Sequence, residues 1–254
     1  MSITLKAVKR FRSLFLSYSK LQAMRSVIIG LLTTGFVLSV NGQKTISTIS
    51  LQLSFPQDEY KATYPKTGVG IRWNILHRFS ENAPFSIGGE IGYLVTSSSS
   101  RAFDVYYLGF YDRYRISATN NILNLAFKAR GDLIPADKAI QVFVDGTVGT
   151  NLFFSSVDVS RETFFGDSQY AGGNSTKGYW SFIFGPGLGV EIPLGKRREV
   201  ALSFKSSYLL GSNTKYLTDP YIDNNGNVYF TQRESKTNMI IAEAGLRFGI
   251  FNRR

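Results

Sequence analysis

The chain has 254 residues, enough for one all-β domain or two small ones, and no cysteine, which excludes a disulfide scaffold and a thiolate metal site. Its formal charge of +11 invites a nucleic-acid partner, but six of the 29 basic residues (Lys6, Lys9, Arg10, Arg12, Lys20 and Arg25) lie within 1–42, which holds no acidic residue. The remaining 23 basic and 18 acidic residues are spread along the chain with no basic run longer than Lys196-Arg197-Arg198, so the case for nucleic acid loses its main support.

The first element is a targeting segment. An apolar stretch over 27–38 follows the basic residues, and the small Val40 and Gly42 come after it, the layout of a secretory signal cut after Gly42. Twelve residues rise only about 18 Å as a helix, short of a hydrocarbon core of roughly 30 Å, so a signal peptide over 1–42 is favoured over a membrane anchor. Either Met1 or Met24 can be the start; Met24 gives a compact signal of 24–42. The mature domain is then 43–254.

Past residue 42 no stretch is apolar enough for a membrane helix, and the pattern alternates with a period of two. Leu51, Leu53 and Phe55 mark a loosely patterned strand over 46–55. In 68–79, Val69, Ile71, Trp73, Ile75 and Phe79 share one face, opposite Arg72, Asn74 and Arg78. In 85–95, Phe85, Ile87, Ile91, Tyr93 and Val95 oppose Glu90 and its small neighbours. Leu123, Leu125, Phe127 and Ala129 alternate with Asn124, Lys128 and Arg130 in 120–131. A looser strand over 139–152 sets Val142, Val144 and Val148 against Gln141, Asp145 and Thr147. Strands over 178–194, 199–211 and 237–251 complete the set, with Glu191, Lys205, Glu243 and Arg247 on their polar faces. Eight strands of this pattern predict an all-β, antiparallel, up-and-down transmembrane β-barrel.

The connections alternate in length. Short ones fall at 80–84, 132–138 and 195–198, and long ones at 96–119, 153–177 and 212–236. Outer-membrane barrels sort their loops this way, with short periplasmic turns and long extracellular loops.

With these strands in view, the mature chain over about 43–251 resembles the small outer-membrane β-barrel family, the eight-stranded barrels akin to the OmpA transmembrane domain. The resemblance is most specific in the glycine-rich strand Phe184-Gly-Pro-Gly-Leu-Gly-Val-Glu-Ile-Pro-Leu194 and the last strand, Ala244-Gly-Leu-Arg-Phe-Gly-Ile-Phe251. It implies residence in a bacterial outer membrane among its lipids. It also implies delivery by the barrel-assembly machinery, whose C-terminal signal the last strand resembles. Family members usually end on the aromatic residue; here Asn252-Arg253-Arg254 follows.

An eight-stranded interior is just wide enough to be filled by side chains. Arg72, Arg78, Glu90, Lys128, Arg130, Asp145, Glu191, Lys205, Glu243 and Arg247 all fall on the lumen-facing parity. Opposed charges there are expected to pair into a plug, because an isolated charge is expensive in a low dielectric; a narrow ion path is the other reading. Within 184–194 the glycines make room for large neighbours across the lumen. The one histidine, His77, shares the outward parity of Trp73 and reads as an interfacial side chain, not as part of a lipid A-modifying site. No nucleophile, base and acid assemble elsewhere, and no cofactor pattern stands out.

The 221–226 segment superficially resembles a calcium loop, but Tyr221 and Gln232 stand at the first and twelfth positions, where such a loop carries carboxylates, so Asn225-Gly226 is read as a hairpin turn. The long loops carry aromatics: Phe103, Tyr106, Tyr107, Phe110, Tyr111 and Tyr114 in one, Phe164, Phe165 and Tyr170 in another. These form either a contact surface or the ends of strands that outrun the membrane. The functional expectation is a non-enzymatic outer-membrane barrel, structural in the envelope or binding a protein partner through its loops. The alternatives are an accessory subunit of a secretion or uptake complex, a narrow channel and, less favoured, a lipid A-modifying enzyme.

Overall fold

A computed structural model describes residues 44–78, 83–107, 110–134, 140–162, 168–176, 178–195, 200–224 and 227–251. The expected leader over 1–42, the signal cleavage site, Phe164, Phe165 and the final three residues lie outside the described residues.

Eight strands close into a barrel: β1 (Lys44–Pro56), β2 (Gly68–Arg78), β3 (Phe85–Tyr107), β4 (Phe110–Asp132), β5 (Gln141–Glu162), β7 (Tyr179–Leu194), β8 (Val200–Gly211) and β11 (Met239–Phe251). Each wall strand pairs antiparallel with the wall strands before and after it in the chain, and β11 returns to β1 in the register Leu51↔Ala244. Closure leaves the barrel wall no edge to guard. The period of two then sorts every strand. Leu51, Ile71, Phe127, Trp180, Phe182 and Leu188 project outward and are each more than half exposed, while the charged residues between them turn inward and are buried. This inverts the arrangement of a soluble protein.

Among the described residues, the long connections expected as loops over 96–119, 153–177 and 212–236 are mostly strand. β3 and β4 keep pairing to Tyr107↔Phe110, well past the last β2–β3 pair at Val69↔Val95. β5 pairs with β4 as far as Arg113↔Glu162, and β6 (Ser168–Ser175) adds to its free side. Pairing satisfies the backbone groups of each strand beyond the point where its barrel neighbour stops. These four strands therefore stand above the wall as one sheet. Its outward face changes character across one mixed rung, from Tyr93, Leu123 and Leu152 through Val95, Asn121 and Phe154 to Ser98, Ser100, Ser117, Thr119 and Ser156. That change marks the upper border of the apolar belt.

The remaining connections build a two-part cap over the same end. β9 (Asn213–Ile222) and β10 (Val228–Lys236) form a hairpin with Ile222 opposite Val228, and the expected turn at Asn225-Gly226 lies outside the described residues. Between β1 and β2 lies a short helix, α1 (Asp58–Thr63). Asp58 and Glu59 in its first turn and Lys61 in its last suit the helix dipole. Pro65 stops it, because the residue before a proline is pushed out of the helical region, as Tyr64 is at φ −150°.

Candidate functional site

The lumen is filled in layers, which can be followed down β4 from the capped end: Ile122, Asn124, Lys128 and Arg130 all point inward and are all buried. Nearest the short turns, Arg78 pairs with Asp132. Arg130 Nε reaches Asp132 Oδ1 at 2.9 Å, and Arg130 also pairs with Glu191. Arg247 Nε lies 3.1 Å from Glu191 Oε2, and the Arg130 guanidinium stacks 3.7 Å over the Phe143 ring.

The next layer interlocks six charges from six strands. Arg72 Nη1 sits 3.0 Å from both Glu90 Oε1 and Glu243 Oε1. Lys205 Nζ reaches Glu243 Oε1 at 2.8 Å and Asp145 Oδ2 at 3.4 Å. Lys128 pairs with Glu90 and lies 3.6 Å from Asp145 Oδ2, while Ser50 donates to Glu243 Oε2 at 3.1 Å. All nine residues proposed from the sequence for the luminal network, with Arg78, thus lie inside the barrel, and each has at least one ion-pair partner. Between the two layers a cavity of about 20 Å³, lined in part by Asn74, Leu76, Phe143 and Ser203, has room for a water molecule. Glycines on β7 make the layers possible. A Cβ at Gly189 would overlap the Phe143 ring, and one at Gly187 would overlap the Asp145 carboxylate.

Above the charges comes a rung of side-chain amides, with Asn124 Nδ2 donating to Asn151 Oδ1 at 2.9 Å and Gln52 Nε2 to the Ile71 carbonyl at 2.9 Å. The top of the lumen is apolar. Leu94, Ile122, Phe153, Ile183, Leu209, Met239 and Ile241 face inward from six strands, and Tyr60, Tyr64 and Tyr216 fill the space between them. These three tyrosines come from the cap, not the wall. Tyr60 meets Tyr216 edge-on at 5.2 Å and Phe153 at 6.2 Å. Burial, reinforced by Tyr64 and Tyr216, pushes the Tyr60 phenol well above its ordinary value.

Polar contacts hold the two cap pieces together. The Tyr216 hydroxyl hydrogen-bonds Thr63 Oγ1 at 2.6 Å and Ser235 Oγ at 2.7 Å. Lys66 pairs with Asp219 at 3.1 Å, and Glu59 accepts from the Lys236 amide at 3.2 Å. Asp58 Oδ2 accepts from Asn238 Nδ2 at 2.8 Å and from the Tyr208 hydroxyl at 3.0 Å, which holds its carboxyl below the usual aspartate range. Arg101 of β3 donates to the Ile222 carbonyl at 3.0 Å, tying the hairpin to the raised sheet.

The alternation pattern did not reveal the apolar top or the cap tyrosines. A signal was present, because apolar residues double up at the capped ends of six strands: Leu94-Val95, Ile122-Leu123, Phe153-Phe154, Ile183-Phe184, Leu209-Leu210 and Ile240-Ile241. In each pair one member faces outward and the other faces the lumen. His77 projects outward and is exposed, on the face that carries Trp73.

No protein-family profile matches the chain, and no curated protein matches it. Among solved structures it is similar to Neisserial surface protein A at 11% identity, covering 81% of this chain and 97% of that one, with a TM-score of 0.43. It is also similar to OprG of Pseudomonas aeruginosa, at 10% identity over 83% and 97% of the two chains and a TM-score of 0.42. A major outer membrane protein of Thermus thermophilus gives 11% identity, 80% and 99% coverage, and a TM-score of 0.41.

Proposed function

We propose that this chain is an integral protein of a bacterial outer membrane, non-enzymatic and non-conducting, whose work is done at its long-loop end in an envelope-structural or binding role. The observation that carries this reading is the inside-out sorting of a closed barrel: an outward apolar belt that suits lipid, around a lumen packed with paired charges. A filled lumen supports a seal over a channel, and the sheet of β3–β6 supports a role above the membrane surface. The short turns then face the periplasm and the cap faces outside.

Membrane fractionation with a heat-modifiability gel tests the reading. The unboiled protein is expected in the outer membrane, migrating faster than the boiled form; recovery in the soluble periplasmic fraction would end it. In planar bilayers the protein is expected to leave the membrane sealed, and steady unitary currents would refute the non-conducting part. A second reading, an accessory subunit of a larger outer-membrane complex, draws on β6, which pairs with β5 alone among the described residues and so offers a strand edge. Co-purification of a stoichiometric partner after mild detergent extraction would favour it.

A further inference from the structure

An eight-stranded barrel can fill its own interior, yet the top of this one is filled by Tyr60, Tyr64 and Tyr216, which belong to the cap. Removing them would leave a cup walled by Leu94, Ile122, Phe153, Ile183, Leu209 and Ile241. The ion pairs that hold the cap, Lys66–Asp219 and Glu59–Lys236, are about half exposed and therefore weak. Both cap pieces also contain a non-glycine residue in the left-handed region, Asp58 at φ 51° and Asp219 at φ 46°, where the chain turns into α1 and within β9.

The floor of the cup is chemically specific. Arg72 is 1% exposed and spends only Nη1 on Glu90 and Glu243. Its Nε and Nη2, the side of the guanidinium that grips a carboxylate with two parallel hydrogen bonds, have no hydrogen-bond partner. That edge lies beside Gly92, where a Cβ would stand 3.3 Å from Nε, one rung below Leu94.

We propose that the upper lumen is a ligand site for a single-chain amphiphile with a carboxylate head, the head on Arg72 and the alkyl chain among the apolar walls, entered when α1 and the β9–β10 hairpin swing apart from each other. The site is a closed-ended cup above the charged layers, so it is compatible with a sealed barrel and goes beyond the role proposed above.

The chain has no cysteine, and Thr63 Oγ1 lies 3.4 Å from Ser235 Oγ across the two cap pieces, so a Thr63→Cys/Ser235→Cys variant allows the cap to be locked and released. Protein in phosphatidylcholine nanodiscs is titrated with 11-(dansylamino)undecanoic acid and followed by dansyl fluorescence. Native protein and the reduced variant are expected to bind saturably, the oxidised variant at least ten-fold more weakly, with reductant restoring binding. The methyl ester of the probe is expected to bind at least ten-fold more weakly than the acid. Equal binding by the oxidised and reduced variant, or no saturable binding by native protein, overturns the site; equal binding of acid and ester overturns the role of Arg72. A heat-modifiability gel on the same nanodisc samples reports the barrel separately, so a failed titration with a heat-shifted band counts against the cup and not against the barrel.

Discussion

Glu243 meets Arg72 and Lys205 at once and accepts from Ser50, so its removal leaves two buried cations short of a partner. Breaking a buried pair from one side costs about 3–5 kcal/mol, whereas removing both partners is often close to neutral. Glu243→Ala is therefore expected to lose that much stability in urea unfolding of the vesicle-reconstituted protein, and Glu243→Met combined with Lys205→Met to recover more than half of it. Gly189 makes a steric case at the same scale. Gly189→Val pushes its side chain into the Phe143 ring, which itself stacks on Arg130, and overpacking of this kind costs about 1–3 kcal/mol in the same measurement. The charged residues were legible in the sequence because inward charges stand out against outward apolar ones. Their partners were not: which carboxylate Arg72 meets depends on barrel register, and period-two parity carries no register.

At the scale of elements, α1 shows how a local pattern is overridden. Tyr60 and Tyr64 stand four residues apart, the spacing of one helical face, yet six residues with no side-chain cap make no stable helix alone. Packing of the Tyr60 ring against Phe153 and Tyr216 supplies what the segment lacks. Its anchor to the wall is titratable. Hydrogen bonds from Asn238 and Tyr208 lower the Asp58 carboxyl below its unfolded value, so this tie contributes fully above about pH 4 and is lost as the pH falls through the depressed folded value. Amide hydrogen exchange in α1 is expected to quicken below pH 4 in the native protein relative to the barrel strands. In Asp58→Asn that step is expected to vanish, with exchange already fast at neutral pH. The long hairpins read as loops in the sequence for a different reason. Above the apolar belt both faces of the sheet include Ser, Thr and Asn, so the alternation that announces a half-buried strand fades although the pairing continues.

For the molecule as a whole, the apolar belt makes a positional forecast. Phe204 pairs with Val190 and Ala244 in the middle of the wall and projects outward, while Ser100 projects outward from the raised sheet. An arginine at the bilayer midplane of a barrel costs about 2–4 kcal/mol, and the cost fades toward the interface. Phe204→Arg is expected to destabilise the vesicle-embedded protein by that amount and Ser100→Arg by less than about 0.5 kcal/mol. Similar losses at both positions would place the membrane elsewhere on the barrel. The eight strands could be read from sequence because inward and outward parity follow from the pleat. The layered lumen and the cap depend on contacts between residues far apart in the chain, which no local pattern encodes.

That distance also bears on how the protein comes into being. Arg72 on β2 and Glu243 on β11 are separated by 171 positions, and the charged layer they share draws on six strands. Until the last strand arrives, an inserting sheet would hold Arg72, Lys128 and Lys205 without their full complement of carboxylates, beside lipid or beside water. On the outer-membrane reading, closure would then be all-or-none at its final step, with β11 as the clasp, and a chain stalled before it would carry its own penalty for remaining in the bilayer.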